Sequence, residues 1–255
     1  MLKELLLKLY LLPANKDDRL ARSIRKRISK DQHLSGLAFI LNNHKNKEKF
    51  GKIIVDVGCF EGGTSLYFQK KIKGVNVIGF EASTQSYNKA VENTKGNTSI
   101  KIENYALSDF SGKTKLYLTD NKVSSSLNPL TGSDDRFSTV LVEEVNTITI
   151  DEYFASKSMN EENILAIKLD VQGHELKVLK GAENTLKRIL FVLTELSNHD
   201  SYEEGAHYYE VDQLLRQSGF KLHNIFAPFS YDQFLYEFDA LYINQSLSNK
   251  FSSVQ

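Results

Sequence analysis

The sequence has a single cysteine, Cys59, and neither a Cys-x-x-Cys nor a His-Glu-x-x-His pair. The first scarcity excludes an intramolecular disulfide framework and fits a reducing compartment. The second leaves no ready-made zinc site. There is no net charge either, with 32 Lys and Arg against 32 Asp and Glu, which argues against a strongly charged partner for the whole molecule. No apolar run is long enough to cross a bilayer: the leucine-rich opening is interrupted by Lys3, Glu4 and Lys8 and is too short. It also lacks a small-residue cleavage site, so it does not read as a signal peptide. No stretch repeats at a fixed period and none is low in complexity.

What is present reads as an ordinary soluble protein, 41% apolar and 25% charged over 255 residues. That length fits one α/β domain with an extra segment, or two small domains. Charge is unevenly spread, with twelve Lys and Arg against five Asp and Glu in residues 1–50. We read residues 1–50 as an N-terminal helical extension, 51–246 as the main domain and 247–255 as a C-terminal tail. Two uses of residues 1–30 stay open: packing on the core or on another subunit, and lying on a membrane surface as a basic amphipathic helix.

From Ile53 onward, strand-like and helix-like runs alternate. Strands are expected at IIVDVG, NVIGFEA, SIKIENYAL, KLYLT, VLVEEVNTITI, ILAIKLDV and ILFVLTEL, with two more at FKLHNIF and FDALYIN. Helices are expected after Gly62, with Ser65, Phe68 and Ile72 on one face, and through SYNKAVENTK, with Tyr87, Ala90, Val91 and Thr94 on one face. Further helices are expected at IDEYFASKS, through GHELKVLKGAENTLKR, and through YYEVDQLLRQSG, where Gly219 stops the last. Such alternation indicates a mainly parallel sheet covered by helices on both faces. Ligands then bind beyond the carboxyl ends of the strands, so the strand ends are the residues to examine.

The first strand ends in Asp56-Val-Gly58-Cys59-Phe60-Glu61-Gly62. Phe60 stands where the dinucleotide fingerprint G-x-G-x-x-G needs its middle glycine. Glu61 puts negative charge where a diphosphate would sit. A cofactor with a cationic or zwitterionic end, S-adenosylmethionine, suits this loop better, its carboxylate meeting the N–H groups of the following helix. The second strand ends in Glu81-Ala82-Ser83, with Glu81 placed to accept from two ribose hydroxyls. At the third, Ala106 and Leu107 are expected to wall an adenine, with Asp109 or a backbone group meeting its amino group. The fourth ends at Asp170, followed by His174 and Glu175 at a helix start; a helix N-terminus disfavours imidazolium and keeps His174 able to accept a proton. Glu195 takes the matching place on the fifth. Asp170, Glu195 and His199 also offer a cation set, although a metal is not expected.

With these residues in view, the chain resembles the FkbM-type S-adenosylmethionine-dependent methyltransferases from about Ile53 to about Glu195. The resemblance is carried by DVGCFEGGTS, FEAS, NYALSD with GKTKLYL, SSL, TITIDEY and above all IKLDVQGHELKVLKGAENTL. It implies a class I methyltransferase (Rossmann-like) fold, a seven-stranded, mostly parallel sheet with its last strand antiparallel, and O-methylation of sugar or polyketide-like hydroxyls. By resemblance Asp56, Gly58, Gly62 and Glu81 are cofactor residues and the Asp170 region faces the methyl group. Two positions depart from the family's pattern: Cys59, where Ala is frequent, and Gln172, where Glu is common.

The expected chemistry is in-line methyl transfer with Asp170 or His174 as base and Glu195 orienting the acceptor. Residues 124–137 form the expected lid, and Tyr202, Tyr208 and Tyr209 offer sugar-stacking faces. The expected partner is a small-molecule or glycan acceptor with a hydroxyl, in a cytoplasmic or membrane-peripheral setting, with a homo-oligomer allowed. Nucleic acid is not expected, because no basic stripe interleaved with aromatics exists. Two other readings stand beside this one: a non-catalytic binding or assembly module, and an NAD-dependent oxidoreductase, which the missing middle glycine opposes.

Overall fold

The computed structural model describes residues 34–42, 51–133, 136–157, 164–231 and 233–252. The extension's residues 1–33 and 43–50, the basic run within it, and residues 134–135 of the expected lid lie outside the described residues.

Seven strands form one sheet in the order β3-β2-β1-β7-β8-β10-β9. They are β1 (Ile53–Val57), β2 (Asn76–Phe80), β3 (Ile100–Glu103), β7 (Ile164–Leu169), β8 (Phe191–Ser197), β9 (Phe220–Tyr231) and β10 (Phe234–Asn244). All pairings among the first five are parallel, and β10 runs antiparallel to both β8 and β9. This is the class I methyltransferase sheet. Its central strands are buried along their whole length and apolar but for Asp56 and Lys168, as expected of strands covered on two faces. Alternate side chains serve opposite faces: Ile53, Val55 and Val57 join one core cluster, while Ile54 joins the other.

The face of Ile54 is covered by helix α1 (residues 34–42) and α2 (Gly63–Lys71), with α3 (Thr84–Thr94) beside them. Leu37 and Leu41 of α1 are fully buried beside Phe68 and Ile72. Asn42 fastens α1 to the end of α2, donating to the Lys71 carbonyl at 2.7 Å and accepting from the Lys73 N–H. In α3 the inward face is Ser86, Ala90 and Thr94; Val91, expected inward, is 43% exposed. The opposite face carries α4 (Ile150–Ser156), α5 (Glu175–Lys180), α6 (Glu183–Leu186) and α7 (Tyr208–Gln217). A last helix, α8 (Gln245–Ser252), follows β10 and overlaps the expected tail, 247–255.

Two expected elements are divided. The run SIKIENYAL bends at Asn104, whose amide donates to the carbonyls of Glu81 and Ala82. Only β3 stays in the large sheet; β4 (Ala106–Leu107) joins a second sheet, β4-β6-β5, with β5 (Gly112–Thr119) and β6 (Thr139–Ile148). The long helix expected from His174 breaks between α5 and α6 at Gly181, where a Cβ would stand 2.0 Å from the Ser108 carbonyl oxygen. No helix among the described residues is long and apolar enough to cross a membrane.

Candidate active site

Strand order reverses around β1, whose neighbours β2 and β7 leave it in opposite directions, and a ligand crevice opens at such a point. The loop Gly58–Gly62 is held there by its own backbone. The N–H groups of Gly58 and Cys59 both donate to the Phe80 carbonyl, that of Phe60 to Glu81 Oε2, and that of Gly62 to the Cys59 carbonyl. A diphosphate cradle needs such groups free. Their consumption excludes that use more firmly than the missing glycine does. Gly58 has φ +73°, and a Cβ on it would stand 2.0 Å from the Asp170 carbonyl oxygen, so only glycine lets β1 and β7 close together here. The first-turn N–H groups of α2, which no intrahelical carbonyl reaches, are left for a ligand.

Glu81 receives N–H groups from Phe60 and Ser83, each at 2.9 Å. A carboxylate has about four acceptor positions, so two remain for a diol. Burial lifts Glu81 to about 7, with the two N–H donors and Lys168 pulling it back. Glu61 leans to Lys89 of α3 at 3.1 Å, in an ion pair at the surface.

Several expected contact residues are props and not walls. Asp56 is fully buried, with Oδ2 accepting from the Ser65 hydroxyl at 2.6 Å and Oδ1 3.4 Å from Lys168 Nζ; it braces the loop from beneath. Cys59 is buried, its thiol pushed well up by burial and by the charges of Asp56 and Glu81, and its Sγ, with Ile102 Cδ1 and Ser65 Oγ, crowds the space a Cβ on Gly79 would need. Ser83 is buried and caps α3. Ala106 packs with Ala82, Leu116 and Leu127 in a small cluster, and Leu107 belongs to the main core, so neither forms an open adenine wall. Asp109 is exposed at that edge, while Tyr105 and Ala82 are half-buried.

His174 also departs from expectation. It is buried, with Nδ1 2.6 Å from Asn128 Oδ1 and Nε2 2.9 Å from Ser108 Oγ. Asn128 Oδ1 only accepts, because its Nδ2 donates to the Glu203 carbonyl, so the ring proton sits on Nδ1 and Nε2 faces the Ser108 hydroxyl. Burial, then Lys177, lowers its pKa to about 4. The ring is neutral as expected, but both nitrogens are occupied, and it links the 124–133 loop to the start of the small sheet. Glu175 turns back on its own loop, accepting from Val171 and Gly173 N–H groups.

Asp170 and Glu195 do come together. Gln172 Nε2 donates to Asp170 Oδ1 at 3.0 Å and to Glu195 Oε2 at 2.6 Å. The other Asp170 oxygen is 3.4 Å from Lys168 Nζ, and the Asp170 side chain is 42% exposed. Burial, then the charges of Asp170, Glu237 and Asp239, raises Glu195 well above the usual carboxylate range. His199 is not a ligand companion to this pair: its ring stacks on Tyr236 at 4.1 Å and Nδ1 meets Ser201. No group of three or more His, Cys, Asp or Glu in metal-binding arrangement exists among the described residues.

Two residues escaped the sequence reading. Lys168, buried in β7, reaches Asp56, Asp170 and the Gly58 carbonyl. Burial opposes its charge, yet Asp170 and Asp56 hold its pKa above the ordinary lysine value. Asp239 lies directly across from Glu195 in the β8–β10 register, raised to about 8 by burial and by Asp170. The available signal was a charged residue inside an otherwise apolar strand, IKL and FDALYI.

The loop expected as a lid is fastened over this cluster. Ser126 Oγ donates to the Gln172 carbonyl, the Tyr202 hydroxyl meets both the Ser124 carbonyl and Gln172 Oε1, and Thr131 N–H donates to the Ser201 carbonyl. Tyr202 lies within this cover, whereas Tyr208 and Tyr209 are on α7, 38% and 55% exposed, against Phe238 and His207 respectively.

Residues 36–222 match the family described as "Methyltransferase FkbM domain". Over 146 residues the chain is 31% identical to the hexuronic acid methyltransferase AglP of Haloferax volcanii, covering 56% of this chain and 55% of AglP. Over 166 residues it is 25% identical to the 2-O-methyltransferase NoeI of Sinorhizobium fredii, covering 61% and 68%. Among solved structures, magnesium protoporphyrin IX methyltransferase from Synechocystis, with SAM bound, aligns over 93% of this chain and 88% of its own at 11% identity and a TM-score of 0.48.

Proposed function

The chain belongs to the FkbM methyltransferase family, and from that premise we propose that it is an S-adenosylmethionine-dependent O-methyltransferase acting on a hydroxyl of a sugar or glycan. The observation that carries the proposal is Asp170: a half-exposed carboxylate at the end of β7, its backbone against Gly58 of the loop and its side chain tied through Gln172 to Glu195. The named activities of AglP and NoeI, methylation of a hexuronic acid and 2-O-methylation, support a sugar hydroxyl as acceptor.

The residues present fit the cofactor. Glu81 keeps acceptor positions for the ribose hydroxyls, and the first turn of α2 offers N–H groups to a carboxylate. When bound, S-adenosylmethionine supplies an electrophilic methyl group and a neutral leaving group. The chain's own work is to orient and to take a proton. Asp170, 3.4 Å from Lys168 Nζ, accepts the acceptor's hydroxyl proton as it becomes acidic, and Glu195 with Asp239 aligns the sugar's remaining hydroxyls. The 124–133 loop is fastened to the Gln172 side of this region through Ser126 and, by way of Tyr202, Ser124. We take Asp170 and not His174 as the base because both His174 nitrogens are engaged.

The test is transfer of labelled methyl from S-adenosylmethionine to a panel of glycans, with product stability to mild alkali distinguishing an ether from an ester. A labelled ether supports the proposal; absence of cofactor binding defeats it. Cofactor affinity should also depend on pH. Protonation of Glu81 removes acceptor capacity from the ribose site, so calorimetric affinity falls as pH drops through about 7. Glu81→Gln should bind weakly and lose that dependence; an unchanged slope would remove Glu81 from the ribose site.

A further inference from the structure

Gln172 is where this chain departs from the family's usual glutamate, and three observations meet at it. Its φ is +55°, a left-handed conformation that glycine adopts freely and a side chain adopts under strain. Its Nε2 is within hydrogen-bonding distance of both Asp170 and Glu195, and its Oε1 of the Tyr202 hydroxyl. Its carbonyl accepts from Ser126 of the covering loop. A strained residue whose side chain satisfies three neighbours is kept for what the side chain does.

An amide nitrogen carries two hydrogens, and here each goes to a different carboxylate. That lets two acids stand side by side while both face the crevice. A glutamate at 172 has no hydrogen to give when ionised, and like charges this close force a proton onto one member. The groups facing the pair are mostly acidic: Glu237 and Asp239 from β10, and Glu175 from α5. Lys168 is the cation in contact with Asp170, and it is shared with Asp56.

We propose that Gln172 is a positioning residue, its amide holding Asp170 and Glu195 together as hydrogen-bond acceptors for the substrate hydroxyls and thereby setting the pH range over which the acceptor proton is taken. The proposal rests on the methyl-transfer reading above. It makes the neutral side chain at 172 a determinant of activity near neutral pH.

Two variants test it. Gln172→Glu should move the acidic limb of the kcat profile upward by about one pH unit while cofactor affinity stays at the wild-type value. Gln172→Gly relieves the backbone, so Tm should hold or rise while kcat falls about tenfold. A purely structural role predicts the opposite pairing, a lower Tm with kcat per folded molecule retained. A Gln172→Glu profile that superimposes on the wild type, or a Gln172→Gly enzyme with full kcat, overturns the proposal. Should no acceptor be turned over, carboxyl 13C titration of labelled Asp and Glu separates the two readings. A raised titration of Asp170 or Glu195 in Gln172→Glu supports the positioning role by itself, and identical curves defeat it whatever the reaction is.

Discussion

Replacing Asp170 with Asn lowers kcat by about 10²- to 10⁴-fold, the range for removing a positioned general base, and leaves cofactor affinity near the wild-type value. The expectation follows from what each group of the site touches. Asn keeps the shape and the hydrogen bond partner for Gln172 but cannot take a proton, and the cofactor-side contacts of Glu81 and the first turn of α2 do not involve this side chain. Single-turnover rates beside calorimetric binding separate the two quantities. A variant that transfers at full rate assigns the proton elsewhere; one that fails to bind cofactor makes Asp170 part of the donor site.

Lys168→Met is expected to destabilise the protein by roughly 3–5 kcal/mol, as when one partner is removed from a buried ion pair. Asp56 is fully buried and would keep only the Ser65 hydroxyl. The Gly58 carbonyl would lose its donor as well. Adding Asp56→Asn to Lys168→Met should recover much of the loss, since the uncompensated charge is then gone; chemical denaturation of both variants measures this. If the single variant is as stable as the wild type, the Asp56–Lys168–Asp170 chain is not what supports the loop.

These two residues also mark what could be read from the sequence. The strand-end logic needs only apolar runs and the acids that close them, and it located Gly58, Glu81, Asp170 and Glu195 at one edge of the sheet. It could not see which side chains face down. Asp56 and Ala106 occupy strand-end positions like Glu81, but the bend at Asn104 and the register of β1 turn them inward. The helix start makes a neutral His174 ring legible, but not its engagement, because its partners Asn128 and Ser108 are 46 and 66 residues distant in sequence. Nothing in the strand run ILAIKLDV beyond the charge itself marks Lys168 as part of the site; its partners come from β1, from the loop that follows it and from the end of its own strand. In the sequence Gln172 stands out only as a departure from the family's pattern, and its hydrogen bonds supply a reason for it.

The proposed transfer of a methyl group from S-adenosylmethionine to a sugar hydroxyl takes place at the Asp170 edge of the sheet. It is tested most directly by incubating the protein with methyl-labelled cofactor and oligosaccharides, including uronic acid-containing ones, and locating the label by mass spectrometry after mild alkali. The expected product is an alkali-stable methyl ether on a sugar hydroxyl, absent with Asp170→Asn. Label on nitrogen, or on a carboxyl group as an alkali-labile ester, would contradict it.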